Sequence, residues 1–130
     1  MLDVVGKAGG KRAMATLLAL YVGAGLLLIV LAVPLIRRKI GPNDWYGFRV
    51  RRTLADPDTW YAANAHAGKY LLGVGVITVL TAGGLYRVPG ITLDAYALAC
   101  GGIILAALAV CVTQCFHYLA QLTREPDTTP

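Results

Sequence analysis

The residues able to do chemistry are gathered in one short stretch, Gly41 to Asn64, "GPNDWYGFRVRRTLADPDTWYAAN". It carries the amides of Asn43 and Asn64, the phenol of Tyr46, the hydroxyl of Thr53, the indole of Trp60 and the guanidinium groups of Arg49, Arg51 and Arg52. A guanidinium is a planar five-donor fork that pairs with carboxylate or phosphate, so the chemistry on offer is recognition of an anionic group. Catalysis has no comparable signature. No nucleophile–base pair, metal cluster or phosphate-cradling glycine loop can be read, and the expectation is a protein that is not an enzyme and uses no cofactor. Cys100, Cys111 and Cys115 fall on one helical face, and His117 points elsewhere on that helix, so the thiols lack the partners a metal needs. They read as small apolar residues, and an odd number gives no disulfide framework.

The elements that position this stretch are apolar. Hydrophobic residues make up 57% of the chain and the mean hydropathy is +0.61, well above what a soluble domain of this size needs to fill one core. Three runs carry no charge: Ala13–Ile36, Tyr70–Tyr86 and Ala95–Thr123. As helices they reach about 36, 26 and 43 Å, against a hydrocarbon core of about 30 Å. The apolar pattern of the middle run already begins near Trp60, so one helix from about Pro57 to Tyr86 spans with wet first turns and a snorkelling Lys69. Backbone groups in lipid must be satisfied within the segment, and no alternating barrel strands are present. The fold class is therefore all-α, a bundle of three transmembrane helices at about 13–36, 57–86 and 95–123. A motif loop at 37–64 joins the first two, with tails at 1–12 and 124–130. The first run is too long for a secretory signal and ends in "IRRK" without a small-residue cleavage pattern, so it reads as a retained span.

Local signals fill in the connection. Pro42 and Asn43 break the chain after the first helix, Asn43 as an Asx-type turn. Asp56 is an N-cap, Pro57 suits the first helical position and Asp58 complements the positive helix end. Trp60, Asn64 and Gly68 then share one face, which reads as a recognition surface, while His66 lies off it as a polar-face residue. Gly47 supplies backbone freedom or close approach, and Arg49 is expected to bond Asn64 or a helix-end carbonyl. Arg37, Arg38 and Lys39 follow directly on an apolar helix, where any cation meets anionic lipid headgroups equally well.

Lys and Arg resist translocation, and the first connection holds most of them, so the motif loop and the C-terminus are expected in the cytoplasm with the N-terminus outside. Trp60, Tyr61, Tyr86, Tyr96 and Tyr118 fall near helix ends, as an aromatic belt would. Ala15, Ala19 and Gly23 form a small-residue stripe on the first helix, and Gly102 with Ala106 on the third. Such stripes serve either packing among the chain's own helices or a homo-oligomer face. No Asp, Glu, Lys or Arg interrupts the uncharged runs, which disfavours a pump or ion-coupled transporter.

The pattern N-x-x-Y-G-F-R-x-x-x-T-L, a short spacer, then W-x-x-x-N resembles the signature of the SdpI family of bacterial membrane proteins. Here it comprises Asn43, Tyr46, Gly47, Phe48, Arg49, Thr53, Leu54, Trp60 and Asn64, and the resemblance extends over about Ala13 to Thr123. It implies a multi-pass plasma-membrane protein. The family's named member gives immunity to a secreted toxin and signals by holding a repressor at the membrane; this chain has a single three-span module. Two functional classes follow. One is a non-enzymatic module that engages a peptide toxin or a membrane or cytoplasmic protein. The other is an accessory, lipid-headgroup-binding component of a membrane enzyme or transporter, with Arg37, Arg38, Lys39, Arg51 and Arg52 meeting lipid or partner. No nucleic-acid partner is expected.

Overall fold

The computed structural model describes residues 1–124, and the C-terminal tail beyond Arg124 lies outside the described residues. Four helices follow in order: α1 (Leu2–Ile36), α2 (Arg51–Ala55), α3 (Pro57–Tyr86) and α4 (Leu93–Leu122). No strand occurs among the described residues. The long helices α1, α3 and α4 are each long and apolar enough to cross a membrane. The all-α, three-span architecture is therefore observed, with the expected starts and ends of α3 and α4 met to within a turn.

The N-terminal segment differs from the reading as a tail. Helix α1 begins at Leu2, not near Ala13, and its 35 residues extend about 52 Å. Nothing between Leu2 and Arg12 breaks a helix outright: there is no proline, the three glycines lower propensity without forbidding the conformation, and Asp3 complements the positive helix end. Residues 1–12 are exposed throughout.

Helix α3 is the centre of the bundle. It packs along α1 and against α4, whereas α1 and α4 touch little. The α1–α3 seam is close because glycines face each other. A methyl on Gly25 would stand 2.8 Å from the Gly75 carbonyl oxygen, and one on Gly75 would stand 2.7 Å from the Gly25 carbonyl oxygen. Gly68 repeats the device one heptad earlier against Ala32, Leu35 and Ile36. Backbones approach this closely only where side chains vanish, which is how helices gain contact without a hydrophobic drive from lipid. The stripe Ala15, Ala19 and Gly23, and the pair Gly102 and Ala106, do not serve the seam; all five are exposed on the bundle's outer surface. The sequence spacing picked a real small-residue periodicity on the wrong face of α1, because Gly25 and Ala32 continue a parallel one a fraction of a turn away.

Two aromatics assigned to an interfacial belt are also core residues. Tyr96 is fully buried, donates its hydroxyl to the Ala82 carbonyl at 3.0 Å and meets Tyr21 and Tyr86 edge-on. Trp60 is fully buried as well. A ring with a polar tip satisfies that tip on a helix carbonyl as readily as on a headgroup, and composition alone does not separate the two. The three thiols match their expectation: Cys100, Cys111 and Cys115 are all free and buried on α4.

Helix α1 ends in a Schellman arrangement. Lys39 N–H donates to the Pro34 carbonyl and Arg38 N–H to the Leu35 carbonyl, with Arg38 at φ 55°, where glycine is usual. Helix α3 starts as its sequence dictates: the Asp56 carboxylate accepts from the Thr59 N–H at 2.9 Å and the Thr59 hydroxyl at 2.7 Å, which holds that carboxyl below its ordinary pKa.

Candidate functional site: the motif loop

The loop between α1 and α2 is shut by side chains that stand in for backbone partners. Asn43 uses its whole amide on its own turn. Its Oδ1 accepts from the Trp45 N–H at 2.8 Å and the Tyr46 N–H at 2.7 Å, while its Nδ2 donates to the carbonyls of Gly41 and Tyr46. This is the Asx turn the sequence announces, doubled. A residue held inside such a turn has its side chain thrown outward, and Trp45 is 91% exposed.

Gly47 then reverses the chain at φ +112°, where an L side chain is strained. A methyl there would also stand 2.5 Å from Asn64 Oδ1, so the glycine is required twice over. The approach allows Asn64, reaching up from the buried face of α3, to bond Phe48 on both sides. Its Oδ1 accepts the Phe48 N–H, and its Nδ2 donates to the Phe48 carbonyl at 3.4 Å and to the Trp60 carbonyl at 3.0 Å. One primary amide thus imitates the edge of a strand for a single residue. Trp60, one turn before, donates its indole N–H to the Ile40 carbonyl at 2.8 Å and pins the start of the loop. Thr53, fully buried, accepts the Val50 N–H at 3.0 Å and has the carbonyls of Phe48 and Val50, both at 2.9 Å, within reach of its hydroxyl proton. The phenyl ring of Phe48 meets Phe116 of α4 edge-to-face, at 5.2 Å between centroids.

The structure therefore brings Asn43, Gly47, Phe48, Thr53, Trp60 and Asn64 into one closed unit. The reading of Trp60, Asn64 and Gly68 as an open recognition face is corrected: this face of α3 is buried against α1 and the loop. The expected bond from Arg49 to Asn64 or a helix-end carbonyl is absent as well. Arg49 is exposed and makes no hydrogen bond among the described residues, because the Asn64 amide is already committed to backbone. Leu54 is half-exposed and takes no part in the closure. Arg37, Arg38, Lys39, Arg51 and Arg52 are exposed, as cations at a headgroup level would be, and Arg52 leans on α4 through Thr123 Oγ1 at 3.4 Å.

Beneath the loop lies an apolar cavity of about 310 Å³, lined in part by Leu35, Tyr46, Phe48, Leu71, Cys111 and Cys115. The Tyr46 hydroxyl is buried with no hydrogen-bond partner among the described residues, and burial pushes its pKa above the usual phenol value. His66 likewise has an unpartnered buried Nε2; its ring stacks on Tyr118 at 4.0 Å and sits 5.1 Å from Tyr70, so it is a packing residue between α3 and α4 and not a polar-face one. No group of three or more metal-ligating side chains occurs among the described residues.

Sequence reasoning passed over Trp45, the residue the loop presents most fully. The signal was available: an indole inside an Asx turn, where its own backbone N–H and that of Tyr46 after it are tied to Asn43, is turned outward.

A family model for the SdpI/YfhL protein family matches residues 39–116, more than half of the chain, from the motif loop through α2 and α3 into α4. No curated protein and no solved structure matched the chain. The matched segment contains every residue of the closed loop just described, and the chain belongs to the SdpI/YfhL protein family.

Proposed function

We propose that this protein is a non-catalytic binding module of the bacterial plasma membrane, with its motif loop in the cytoplasm, acting in toxin immunity or signalling as the family's named member does. The observation that carries this reading is the fate of the motif's polar side chains. Asn43, Thr53, Trp60 and Asn64 spend their hydrogen-bonding capacity on loop backbone, and among the described residues the motif assembles no acid–base or nucleophile–base pair for turnover. What remains to act on a partner is the outer surface of the closed loop and the start of α2, where Trp45, Arg49, Arg51 and Arg52 are each exposed. Trp and Arg are the residue types that most often dominate the energy of a protein contact, and here they need little ordering because the backbone beneath them is fixed.

The test is a killing assay. A strain lacking the gene is challenged with a panel of secreted membrane-active bacterial peptides, then complemented with wild type, Trp45→Ala or Arg49→Ala. The reading expects sensitisation to at least one peptide, rescue by wild type, and failed rescue by both variants at wild-type abundance in the membrane. Equal survival of the deleted and complemented strains across the panel removes immunity, and full rescue by both variants removes the outer loop surface as the acting part.

A further inference from the structure

The geometry points to a binding site for an anionic phospholipid in the groove between α2 and α4, with Arg51 and Arg52 holding the phosphate and the wall of α4 taking an acyl chain. The groove encloses about 340 Å³ and is lined by Val50, Arg51, Arg52, Phe116, Leu119 and Ala120. Its two halves are chemically distinct. The α2 side presents two adjacent guanidinium groups, and the lining includes no carboxylate. Arg52 is steered over the groove by its contact with Thr123 on α4. The α4 side is apolar, and Phe116 is 51% exposed there while its ring edge is fixed against Phe48.

The apolar wall selects a lipid over a soluble phosphate. Below the groove α4 continues as an exposed ridge, with Val112 one turn from Phe116 and Leu105 two further turns along the same side, both more than half exposed. Helix α4 is one of the three long enough to cross a membrane, so this ridge faces hydrocarbon, and a chain leaving the groove runs along it. The charged half sits beyond the start of α3, at the polar end of the bundle, where headgroups lie. A guanidinium fork pairs with phosphate oxygens in a way an ammonium does not, so the site asks for arginine and not merely for positive charge. Arg37, Arg38 and Lys39 are exposed at the same end of the bundle and take no part in this groove; Arg38 lines a different one, shared with the Asp58 carboxylate and Tyr61, so the three serve as the internal comparison.

The experiment uses the full-length protein in a mild zwitterionic detergent, titrated with phosphatidylglycerol and read by native mass spectrometry. Phosphatidylcholine and glycerol phosphate are run as separate arms. The chains compared are wild type, Arg51→Gln with Arg52→Gln, Arg51→Lys with Arg52→Lys, and the triple variant Arg37→Gln, Arg38→Gln, Lys39→Gln. A saturable phosphatidylglycerol adduct is expected on wild type, weakened about tenfold or more in the glutamine pair and by a smaller factor in the lysine pair. The triple variant is expected to stay within about threefold of wild type, and phosphatidylcholine and glycerol phosphate to bind more weakly than phosphatidylglycerol. Wild-type affinity in the glutamine pair overturns the site, as does an equal loss in the triple variant, which would reduce the effect to general attraction. Glycerol phosphate binding as tightly as the lipid would assign the groove to a soluble anion and overturn the role of the α4 wall. The three variants change exposed side chains only, and melting temperatures equal to that of wild type verify that each is folded.

Discussion

Asn64 stabilises the motif loop out of proportion to its size, because one amide bonds three backbone groups at once. Truncation takes the partner from the part-buried Phe48 N–H, and a donor left unsatisfied away from water costs up to about 1–3 kcal/mol. Asn64→Ala is therefore expected to lower thermal stability by that amount and to expose the loop to protease, and a melt followed with limited proteolysis checks both. The loss of function such a variant shows would come from an undocked loop and not from a missing ligand contact. Tyr46 is the opposite case. Its hydroxyl is buried without a partner, so Tyr46→Phe removes a desolvated polar group and is expected to leave stability unchanged or to raise it by about 1 kcal/mol. A clear drop in melting temperature in Tyr46→Phe would mean that the hydroxyl has a partner in the membrane-embedded protein.

At the scale of elements, the α1–α3 seam and the start of α3 set the loop's position. The seam has no room at Gly25 and Gly75, so Gly75→Leu is expected to cost about 1–3 kcal/mol or to drive the two helices apart, read as a fall in melting temperature. The start of α3 carries a pH dependence. Asp56 has its carboxyl pKa lowered by the Thr59 hydroxyl and backbone bonds, so its contribution is present above the unfolded value of 3.8 and is lost as the pH falls through the lower folded value. Acid unfolding of wild type and Asp56→Asn, compared by circular dichroism, should therefore converge below that window and differ above it. These two elements also mark what the sequence disclosed. Spans are legible because apolar length is a one-dimensional property, and the Asp56-Pro57 start and the Asn43 turn are legible because a cap or an Asx turn acts within a few residues. Which face of α1 meets α3 was not legible, since Ala15, Ala19 and Gly23 at four-residue spacing and Gly25 and Ala32 at seven-residue spacing each fit one helical face of small residues, and only the partner helix breaks the tie. The pairing of Asn64 with Phe48 was hidden for the same reason: it joins residues sixteen apart, and Arg49 offered a chemically stronger partner on paper.

For the whole molecule, the proposed orientation rests on the excess of cations in the motif loop over the short α3–α4 connection. Asp44→Cys and Pro89→Cys, both at exposed positions, are placed one at a time in a chain with Cys100, Cys111 and Cys115 replaced by alanine. An impermeant thiol reagent applied to intact cells is expected to label the Pro89 site and spare the Asp44 site. The reverse pattern would put the loop outside and overturn any cytoplasmic partner.

The contacts that shut the loop have a consequence for the order in which the protein is made. The Gly25–Gly75 crossing, the Trp60 to Ile40 bond and the Asn64 to Phe48 pair all lie between residues of α1, the loop and α3, and none requires anything after Tyr86. A ribosome delivers these residues first, so the helical hairpin has its full set of internal partners while α4 is still being synthesised, and α4 is then added to a finished surface. The two tryptophans make this measurable. With Trp45→Phe, Trp60 becomes the sole indole, and a chain ending at Tyr86 is expected to keep the blue-shifted emission of a buried ring; emission typical of water would show that the hairpin waits for α4 before it closes.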